Sequence, residues 1–272
     1  MKKELNLMIT PAEFPVPLII LPETDSTNNY LTQLCNEQQS AVREFTTVIA
    51  ERQTAGKGQR GNSWESEDCR NITFSFVLYP TFIEARRQFI LSQIVSLSIK
   101  EELDEWTKGI SIKWPNDIYW NEKKICGILI ENDLSGHHIG RSISGIGVNI
   151  NQETFRSDAP NPVSLKQITG QEHERYLILA NIMRRLKEYY ILLQTDSSGN
   201  AANCIAERYA RSLFRREGFH RYADADGEFL ARLLCVEPDG RFILEDQAGK
   251  VRGYLFKEVQ YILSVSYTHL TL

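Results

Sequence analysis

A short glycine-rich segment between two strand-like runs constrains the fold of this 272-residue chain most. Residues 56–61 read GKGQRG, which fits the dinucleotide fingerprint G-x-G-x-x-G. A Rossmann glycine loop must follow a strand and open a helix, so that the helix N-terminus meets the pyrophosphate. Here the segment follows the strand-like run 46–50, but the next periodic run, 71–78, alternates like a second strand. The pattern therefore argues against an NAD site.

The same segment is cationic, which changes what it can bind. Lys57 and Arg60 supply positive charge, and Gln53, Gln59 and Trp64 accompany the glycines. Cationic side chains together with backbone amides can contact phosphate. A basic glycine loop between two strands indicates a clamp for a nucleotide or an acyl phosphate. A flexible hairpin loop with solvated charges is the alternative that this segment alone leaves open.

Composition and charge narrow the class of protein. Apolar content of 42% and charged content of 24% are ordinary for a globular domain, and the net charge of −4 gives no general attraction to nucleic acid. The five cysteines are scattered, without a C-x-x-C pair, so we expect small buried hydrophobic residues in a reducing compartment. No run approaches the roughly 20 apolar residues of a membrane span, and the start lacks a signal-peptide pattern. We expect a cytoplasmic protein.

Periodicity predicts an α+β fold with a small all-β unit at its end. In the larger part we predict strands at 18–21, 46–51, 71–79, 110–113, 117–120, 124–131 and 138–150. We predict helices through about 24–36, 84–106, 175–194 and 203–215. From residue 218 onward short β runs alternate with turns, at 228–236, 242–244, 251–255 and 259–263. We therefore expect domains at 1–217 and 218–265, with 266–272 as a non-native or disordered tail.

Three other segments place polar side chains at loops or strand ends. Residues 25–28, Asp-Ser-Thr-Asn, can cap a helix, and that role alone would account for them. Lys113 ends a strand-like run and Lys124 opens one, so both ammonium groups can lie at the mouth of a pocket, whereas Lys123 fits a solvated side chain. The run 145–151, GIGVNIN, allows close backbone approach and delivers asparagines that can pair with an adenine edge.

Taken together, five motifs resemble those of the biotin protein ligases of the monofunctional type, which lacks an N-terminal DNA-binding domain. They are TDSTNNYL at 24–31, ERQTAGKGQRGNSW at 51–64, KWPNDIYW at 113–120, KKICGILIEN at 123–132 and GIGVNIN at 145–151. The resemblance extends over about 18–263. It implies an α+β catalytic domain like that of the class II aminoacyl-tRNA synthetases, with a mixed sheet and flanking helices, followed by an SH3-like β-barrel.

The resemblance also implies a reaction in two steps. The biotin carboxylate attacks the α-phosphate of ATP to give biotinyl-5′-AMP and pyrophosphate, and a lysine amine then displaces AMP. The implied substrates are ATP with Mg²⁺, and biotin, and the implied partner is the biotin carboxyl carrier domain of a carboxylase. No nucleic acid or membrane is implied, and the protein would be a monomer or homodimer. Two anionic reactants need cations to hold them together, which suits the lysines and arginines of the motifs.

Site residues follow from the resemblance position by position. Those expected to bind biotin are Ser26, Thr27, Asn28, Gln53, Gly56 and Gly127. Those expected to be catalytic are Lys124, Arg60, Lys57, Lys113 and Asp117. Those expected at the nucleotide are Lys57, Gly58, Gln59, Arg60, Trp64 and Asn149. Lys124 corresponds to the lysine that bridges the biotin carboxylate and the α-phosphate, and Lys57 and Gln59 stand where some members have arginine. Asp117 would orient the attacking lysine or support metal and ribose, and Trp64 would cover the site or pack in the core.

Other functions stay open at this stage. A lipoate or octanoate ligase on the same fold is the nearest alternative, and a biotin-sensing regulator without turnover is another. An NAD-dependent oxidoreductase would require a helix directly after Gly61. Only about twenty residues precede the first predicted strand, fewer than a DNA-reading three-helix unit needs, so we expect an enzyme without operator binding.

Overall fold

A seven-stranded mixed sheet forms the centre of the larger part of the chain. The computed structural model describes residues 13–38, 41–58, 63–157 and 161–263. The strand order is β1-β2-β3-β7-β6-β5-β4, in which β1 and β2 are parallel and the other neighbours antiparallel. In chain order, β1 to β7 are Leu18–Leu21, Thr47–Ala50, Ile72–Leu78, Ile110–Lys113, Asp117–Trp120, Lys123–Ser135 and His138–Val148.

The side chains of β3 and β7 alternate between the two sides of the sheet, and the two faces differ in composition. On the first face, the even-numbered apolar residues of β3 and Ile146 of β7 pack into the large core. On the second face, Val77 packs with Leu31 in a smaller apolar cluster. Successive side chains of a strand point to opposite sides, so Ser75 and Gly145, which pair in register, also lie on the second face. That face therefore combines a small apolar cluster with polar and glycine positions.

Helices cover the sheet, and most residues of the second helix are buried. The described residues form α-helices α1 to α5, at Thr27–Glu37, Phe89–Asp104, Leu165–Thr169, Arg175–Thr195 and Asn200–Arg211, and a 3₁₀ turn at Ala85–Arg87. Burying one Leu, Ile or Phe side chain contributes about 1.5–3 kcal/mol. Twelve residues of α2 are buried, so its packing against α4 and α5 makes it central to the core.

A five-stranded antiparallel sheet follows the last helix. Its order is β11-β10-β9-β8-β12, and β8 to β12 are His220–Asp224, Gly227–Val236, Phe242–Asp246, Val251–Tyr254 and Gln260–Tyr261. Trp114, directly after β4, donates from Nε1 to the carbonyl oxygen of Gly240 at 2.9 Å, and its ring stacks on Phe242 at a centroid distance of 4.9 Å. The second sheet is thereby joined to the segment that leads to Asp117.

The structure confirms the predicted α+β class and most of the predicted elements. The described residues 63–71, between the glycine-rich segment and β3, contain no helix, so the argument against a Rossmann loop is confirmed. Helix α3 and strand β8 were not predicted, and α5 begins at Asn200, earlier than the predicted range 203–215. The predicted tail at 266–272 lies outside the described residues. None of the described helices has both the length and the apolarity to cross a membrane.

Candidate functional site

Three glycines make an open patch of backbone on the second face of the large sheet. Gly127 of β6 pairs in register with Gly147 of β7, and Gly145 lies two residues earlier on β7. We call these three residues the glycine floor. Side chains from α1 and from the glycine-rich segment rest directly on it, in positions that a methyl group at each glycine would obstruct.

Asn28 of α1 rests on the floor at Gly145. A Cβ added at Gly145 would lie 2.2 Å from Oδ1 of Asn28, so no larger residue leaves this space. Asn28 Nδ2 donates to Oε2 of Glu131 at 2.9 Å, and Ser75 Oγ donates to Asn28 Oδ1 at 2.5 Å. Both ends of the buried amide are therefore held by neighbouring strands.

The predicted biotin residues Thr27 and Gln53 also meet. The backbone N–H of Thr27 donates to Oε1 of Gln53 at 2.8 Å, and Thr27 Oγ1 lies 3.1 Å from the same oxygen. Ser26 is buried at the helix N-cap, but its side chain makes no capping hydrogen bond. Helix capping alone therefore does not account for the Ser-Thr-Asn segment. Two of its three side chains belong to a hydrogen-bond network with β3, β6 and Gln53.

Lys124 and Asp117 form an ion pair at the start of β6. Lys124 Nζ lies 2.8 Å from Asp117 Oδ2, and the side chains are 25% and 27% exposed. The backbone of Lys124 is fixed on its other side, because its N–H donates to the Asn161 carbonyl and its carbonyl accepts from the N–H of Val163, each at 2.9 Å. A pair with this exposure contributes about 0–1 kcal/mol to stability, so the fold does not depend on it.

The indole of Trp64 covers the glycine floor beside Lys124. A Cβ at Gly147 would lie 2.1 Å from the ring, and one at Gly127 would lie 2.8 Å from it. Lys124 Nζ lies 5.9 Å from the ring centroid. The backbone N–H of Trp64 donates to the carbonyl of Gly56 at 2.9 Å, so the glycine-rich segment and Lys124 meet here. Trp64 is half-buried and belongs to neither hydrophobic cluster, so core packing does not explain it.

The rest of the glycine-rich segment is only partly described. Lys57 is exposed, and its Nζ donates to Oδ1 of Asn29 on α1. Gln59 and Arg60 lie outside the described residues, so the roles expected for them stay predictions. Gly58 is described, and its predicted contact with the nucleotide also stays a prediction.

Lys113 lies at the junction of the two sheets, in an aromatic enclosure. Its Nζ donates to the hydroxyl of Tyr119 at 3.2 Å and lies 5.0 Å and 5.2 Å from the ring centroids of Tyr119 and Tyr261. Burial lowers the pKa of Lys113. Its ammonium is thus held by rings of both sheets, whereas Lys124 is paired with Asp117. The catalytic role expected for Lys113 stays a prediction.

Asn149 presents an unpaired acceptor close to the backbone of Lys124. Its Nδ2 donates to the carbonyl of Val163 at 3.2 Å, while its Oδ1 is buried and has no hydrogen-bond partner among the described residues. A backbone carbonyl can only accept, so Nδ2 must be the end that faces Val163. A buried acceptor is costly unless it is paired, so Oδ1 is suited to a donor supplied by a ligand.

Asn151, the second asparagine of that run, has a structural role. Its side chain bonds both the N–H and the carbonyl of His173, at 3.0 Å and 2.9 Å. The run 145–151 thus contains Asn149, whose side-chain oxygen is unpaired, and Asn151, whose side-chain oxygen and nitrogen are both paired.

A buried ion pair supports the segment that carries Gln53. Glu51 directly follows β2, and its carboxylate lies 2.8 Å from Nη2 of Arg175, with both side chains about one-tenth exposed. The hydroxyl of Tyr176 donates to the other carboxylate oxygen. Burial acts to raise the pKa of Glu51, but the Tyr176 hydrogen bond and the Arg175 charge outweigh it and leave that pKa below its usual value.

The sequence analysis assigned no role to Ser75 and Glu131, and for Gly145 and Gly147 it predicted only close backbone approach. Each lies on a strand that was predicted correctly, with odd-numbered positions facing the site. The parity of the strand was therefore a signal that could have found them, once Gly127 was assigned to the site.

Metal-binding and cysteine chemistry are limited in the described part of the chain. No group of three or more His, Cys, Asp or Glu side chains there could hold a metal ion.

All five cysteines are free. The expectation that they are buried is wrong for Cys69, Cys204 and Cys235, which are exposed; Cys35 and Cys126 are buried.

Comparison with protein families and curated proteins gives consistent matches. Residues 20–149 match the model of the biotin/lipoate A/B protein ligase family. The chain is 29% identical to the bifunctional ligase/repressor BirA of Bacillus spizizenii, over 87% of this chain and 72% of that protein. It is 29% identical to the biotin–[acetyl-CoA-carboxylase] ligase of Paracoccus denitrificans, over 85% and 95%. Across four bifunctional relatives, the chain spans between 54% and 72% of their length.

Comparison with solved structures extends the match beyond residue 149. The biotin protein ligase of Aquifex aeolicus in complex with biotin and ATP superposes with a TM-score of 0.73 at 28% identity. The superposition covers 91% of this chain and 99% of that one, so it includes the second sheet as well as the first.

Proposed function

We propose that the chain is an ATP-dependent biotin–protein ligase, because its residues 20–149 match the model of the biotin/lipoate A/B protein ligase family. It forms biotinyl-5′-AMP from biotin and ATP and then transfers biotin to a lysine of a biotin carboxyl carrier domain. The similarity to a ligase solved with biotin and ATP supports this, as does the similarity to a curated ligase over most of both chains.

One arrangement carries the proposal. Lys124 lies at one end of the glycine floor and Asn28 at the other, so a single patch of backbone joins a cation to a polar cradle. Biotin has a carboxylate at one end and a ureido group at the other, with two N–H donors and one carbonyl acceptor. The cation suits the carboxylate, and the amide of Asn28 with that of Gln53 suits the ureido group.

In the first step, a carboxylate oxygen of biotin bonds to the α-phosphorus of ATP, and the bond from that phosphorus to pyrophosphate breaks. Both reactants are anions, so they repel each other unless a cation holds them. Lys124 supplies that charge, and its ion pair with Asp117 fixes where the ammonium lies. We propose that Lys124 contacts the biotin carboxylate and the α-phosphate together.

In the second step, the amine nitrogen of the acceptor lysine bonds to the carbonyl carbon of biotin. The bond from that carbon to the oxygen of AMP breaks, and the proton lost by the amine passes to solvent. We propose that Asp117 orients this amine, since it is the carboxylate paired with Lys124. Trp64, which covers the floor, would exclude water from the mixed anhydride while the acceptor arrives.

The nucleotide site is proposed at Asn149. The free Oδ1 of this residue can accept a hydrogen bond from the exocyclic amino group of adenine but not from the carbonyl of guanine. The orientation of the amide, set by the carbonyl of Val163, therefore favours ATP.

Magnesium fits this site only as part of the nucleotide substrate. Mg²⁺ is commonly held by one or two carboxylates together with substrate phosphates. Asp117 could supply one such carboxylate, and the described residues offer no three-ligand cluster. Bound with ATP, the ion would neutralise phosphate charge.

Several finer features belong to the same proposal. Lys57, Gly58, Gln59 and Arg60 would contact the phosphates, and Ser26, Gly56 and Gly127 would line the biotin pocket. We propose the division at residue 217 into a catalytic domain and an SH3-like domain, because the second sheet begins at His220. A cytoplasmic location and a monomeric or homodimeric state complete the proposal.

The test is a turnover assay with purified protein. With biotin and ATP we expect release of pyrophosphate, and with a carrier domain added we expect a mass increase on one lysine of that domain. Lipoate in place of biotin should give little product. Greater turnover with lipoate would support the alternative ligase, and biotin binding without pyrophosphate release would support a regulator.

A further inference from the structure

Glu131 is a charged residue of the site to which neither the motifs nor the proposed mechanism gives a role. It lies on β6, four residues after Gly127, and pairs in register with Ile143 of β7. Its side chain is exposed on the rim of the second face, yet its carboxylate reaches the buried amide of Asn28, 103 positions earlier in the chain.

The contact determines which way round the amide of Asn28 lies. The two ends of an asparagine amide have nearly the same shape, so space alone does not orient it. A carboxylate accepts hydrogen bonds and does not donate them. Oε2 of Glu131, at 2.9 Å, therefore requires Nδ2 at that end and leaves Oδ1 to Ser75. The flipped amide would place two oxygens against each other.

The same contact sets the direction of the neighbouring hydroxyl group of Ser75. Ser75 has one hydroxyl proton, and Oδ1 of Asn28 at 2.5 Å requires it. Oγ1 of Thr27 lies 2.8 Å from Oγ of Ser75, and it donates to Oε1 of Gln53 at 3.1 Å. Oε1 of Gln53 in turn is held by the backbone N–H of Thr27 at 2.8 Å. One carboxylate thus fixes the direction of the hydrogen bonds made by Asn28 and Ser75.

From this geometry we propose that Glu131 is a positioning residue for biotin, which acts by holding the amide of Asn28 in one orientation. With that orientation, Asn28 keeps one N–H and one lone pair of Oδ1 for the ureido group. The inference rests on the proposed function, and it concerns the binding of biotin and not that of ATP. Glu131 touches no reacting atom in this scheme.

The test measures biotin binding by calorimetry without ATP, for the full chain and variants Glu131→Leu, Asn28→Ala and the two combined. Loss of a hydrogen bond that orients a ligand-binding amide should weaken biotin binding about tenfold in Glu131→Leu. Because Glu131 acts through Asn28, the double variant should bind biotin no more weakly than Asn28→Ala alone. Glu131→Gln should restore affinity to within about threefold, since the amide oxygen of glutamine can accept the same hydrogen bond. The KM for ATP should not change.

Two controls separate this inference from the proposed function and from a loss of folding. Asp133→Leu removes another exposed carboxylate of β6, one that pairs with Arg141, and should leave biotin binding unchanged. Thermal unfolding of each variant checks the fold. Wild-type affinity in Glu131→Leu, or additive losses in the double variant, would overturn the role of Glu131 while biotin turnover by the wild type stands. Absence of biotin binding by the wild type would instead overturn the proposed function.

Discussion

Nζ of Lys124 lies 2.8 Å from Oδ2 of Asp117. Lys124 stands at the start of β6, where its backbone N–H and carbonyl are both hydrogen-bonded. An ammonium has three N–H donors. Asp117 takes one, which leaves two for the oxygens of an anionic ligand. The ion pair is partly exposed and adds little to the stability of the fold. The effect of replacing Lys124 should therefore appear in turnover and not in the free energy of unfolding.

The first prediction concerns the charge of Lys124. Lys124→Ala should lower pyrophosphate release by at least about a hundredfold, because one charge-stabilising donor in a reaction site contributes that much. The assay is pyrophosphate release with saturating biotin and ATP. Lys123→Ala removes the exposed neighbouring lysine and should keep wild-type turnover. Near-normal turnover in Lys124→Ala would remove this residue from the catalytic set.

The second prediction concerns the glycine floor. A Cβ at Gly147 would lie 2.1 Å from the indole of Trp64, so Gly147→Ala should displace the ring and weaken biotin binding by about 1–3 kcal/mol. Biotin binding by calorimetry and indole fluorescence report the two effects. At Gly140, on the same strand, an added Cβ would have Cβ of Ser135 as its nearest neighbour, at 3.1 Å, so Gly140→Ala tests the effect of alanine on the strand itself. Equal losses in both variants would mean that the floor has no special role.

Hydrophobic periodicity predicted the helices and strands because it reflects residues that are neighbours in the chain. The site depends on contacts between residues far apart in the chain, which periodicity does not show. The strand at Ile72–Leu78 was predicted as 71–79 from its alternation and the proline that follows. In contrast, β8 reads HRYAD, in which no apolar alternation stands out, and α3 has only five residues. Such short elements owe their structure to packing, which a local pattern does not contain.

The residues of the site divide in the same way. Those carried by motifs, such as Lys124, Asp117, Thr27 and Gln53, were predicted, and the structure brings them together in pairs. Glu131 was missed because its partner is 103 positions away, and no motif links the two. The aromatic enclosure of Lys113 was missed for a similar reason, since one of its rings comes from the second sheet.

The third prediction concerns nucleotide choice. Asn149→Ala removes the free acceptor and should raise the KM for ATP about tenfold, as expected for loss of one hydrogen bond to a ligand. The preference for ATP over GTP should fall by a similar factor, because the acceptor that distinguishes the two bases is gone. Steady-state pyrophosphate release with each nucleotide measures both. Asn151→Ala is not a suitable control, since its side chain holds His173; Asn203→Ala, on α5, is better. An unchanged ATP-to-GTP ratio would contradict the proposed adenine contact.

The fourth prediction concerns Glu51 and pH. Its pKa is lowered in the folded state below the usual 4.5, so the stability it contributes is present above that value and is lost as the pH falls through the folded pKa. Glu51→Gln leaves Arg175 buried without its charge partner and should lower the free energy of unfolding by about 3–5 kcal/mol at pH 7. Urea unfolding should show this difference shrinking as the pH falls below 4.5 and through the lowered folded pKa, where the wild-type carboxylate also takes up a proton. Glu23→Gln, which breaks the exposed pair with Arg52, should cost less than about 1 kcal/mol at either pH. If the loss in Glu51→Gln were the same at acid and neutral pH, the charge on Glu51 would not be its source, and the pair would not be what supports the segment leading to Gln53.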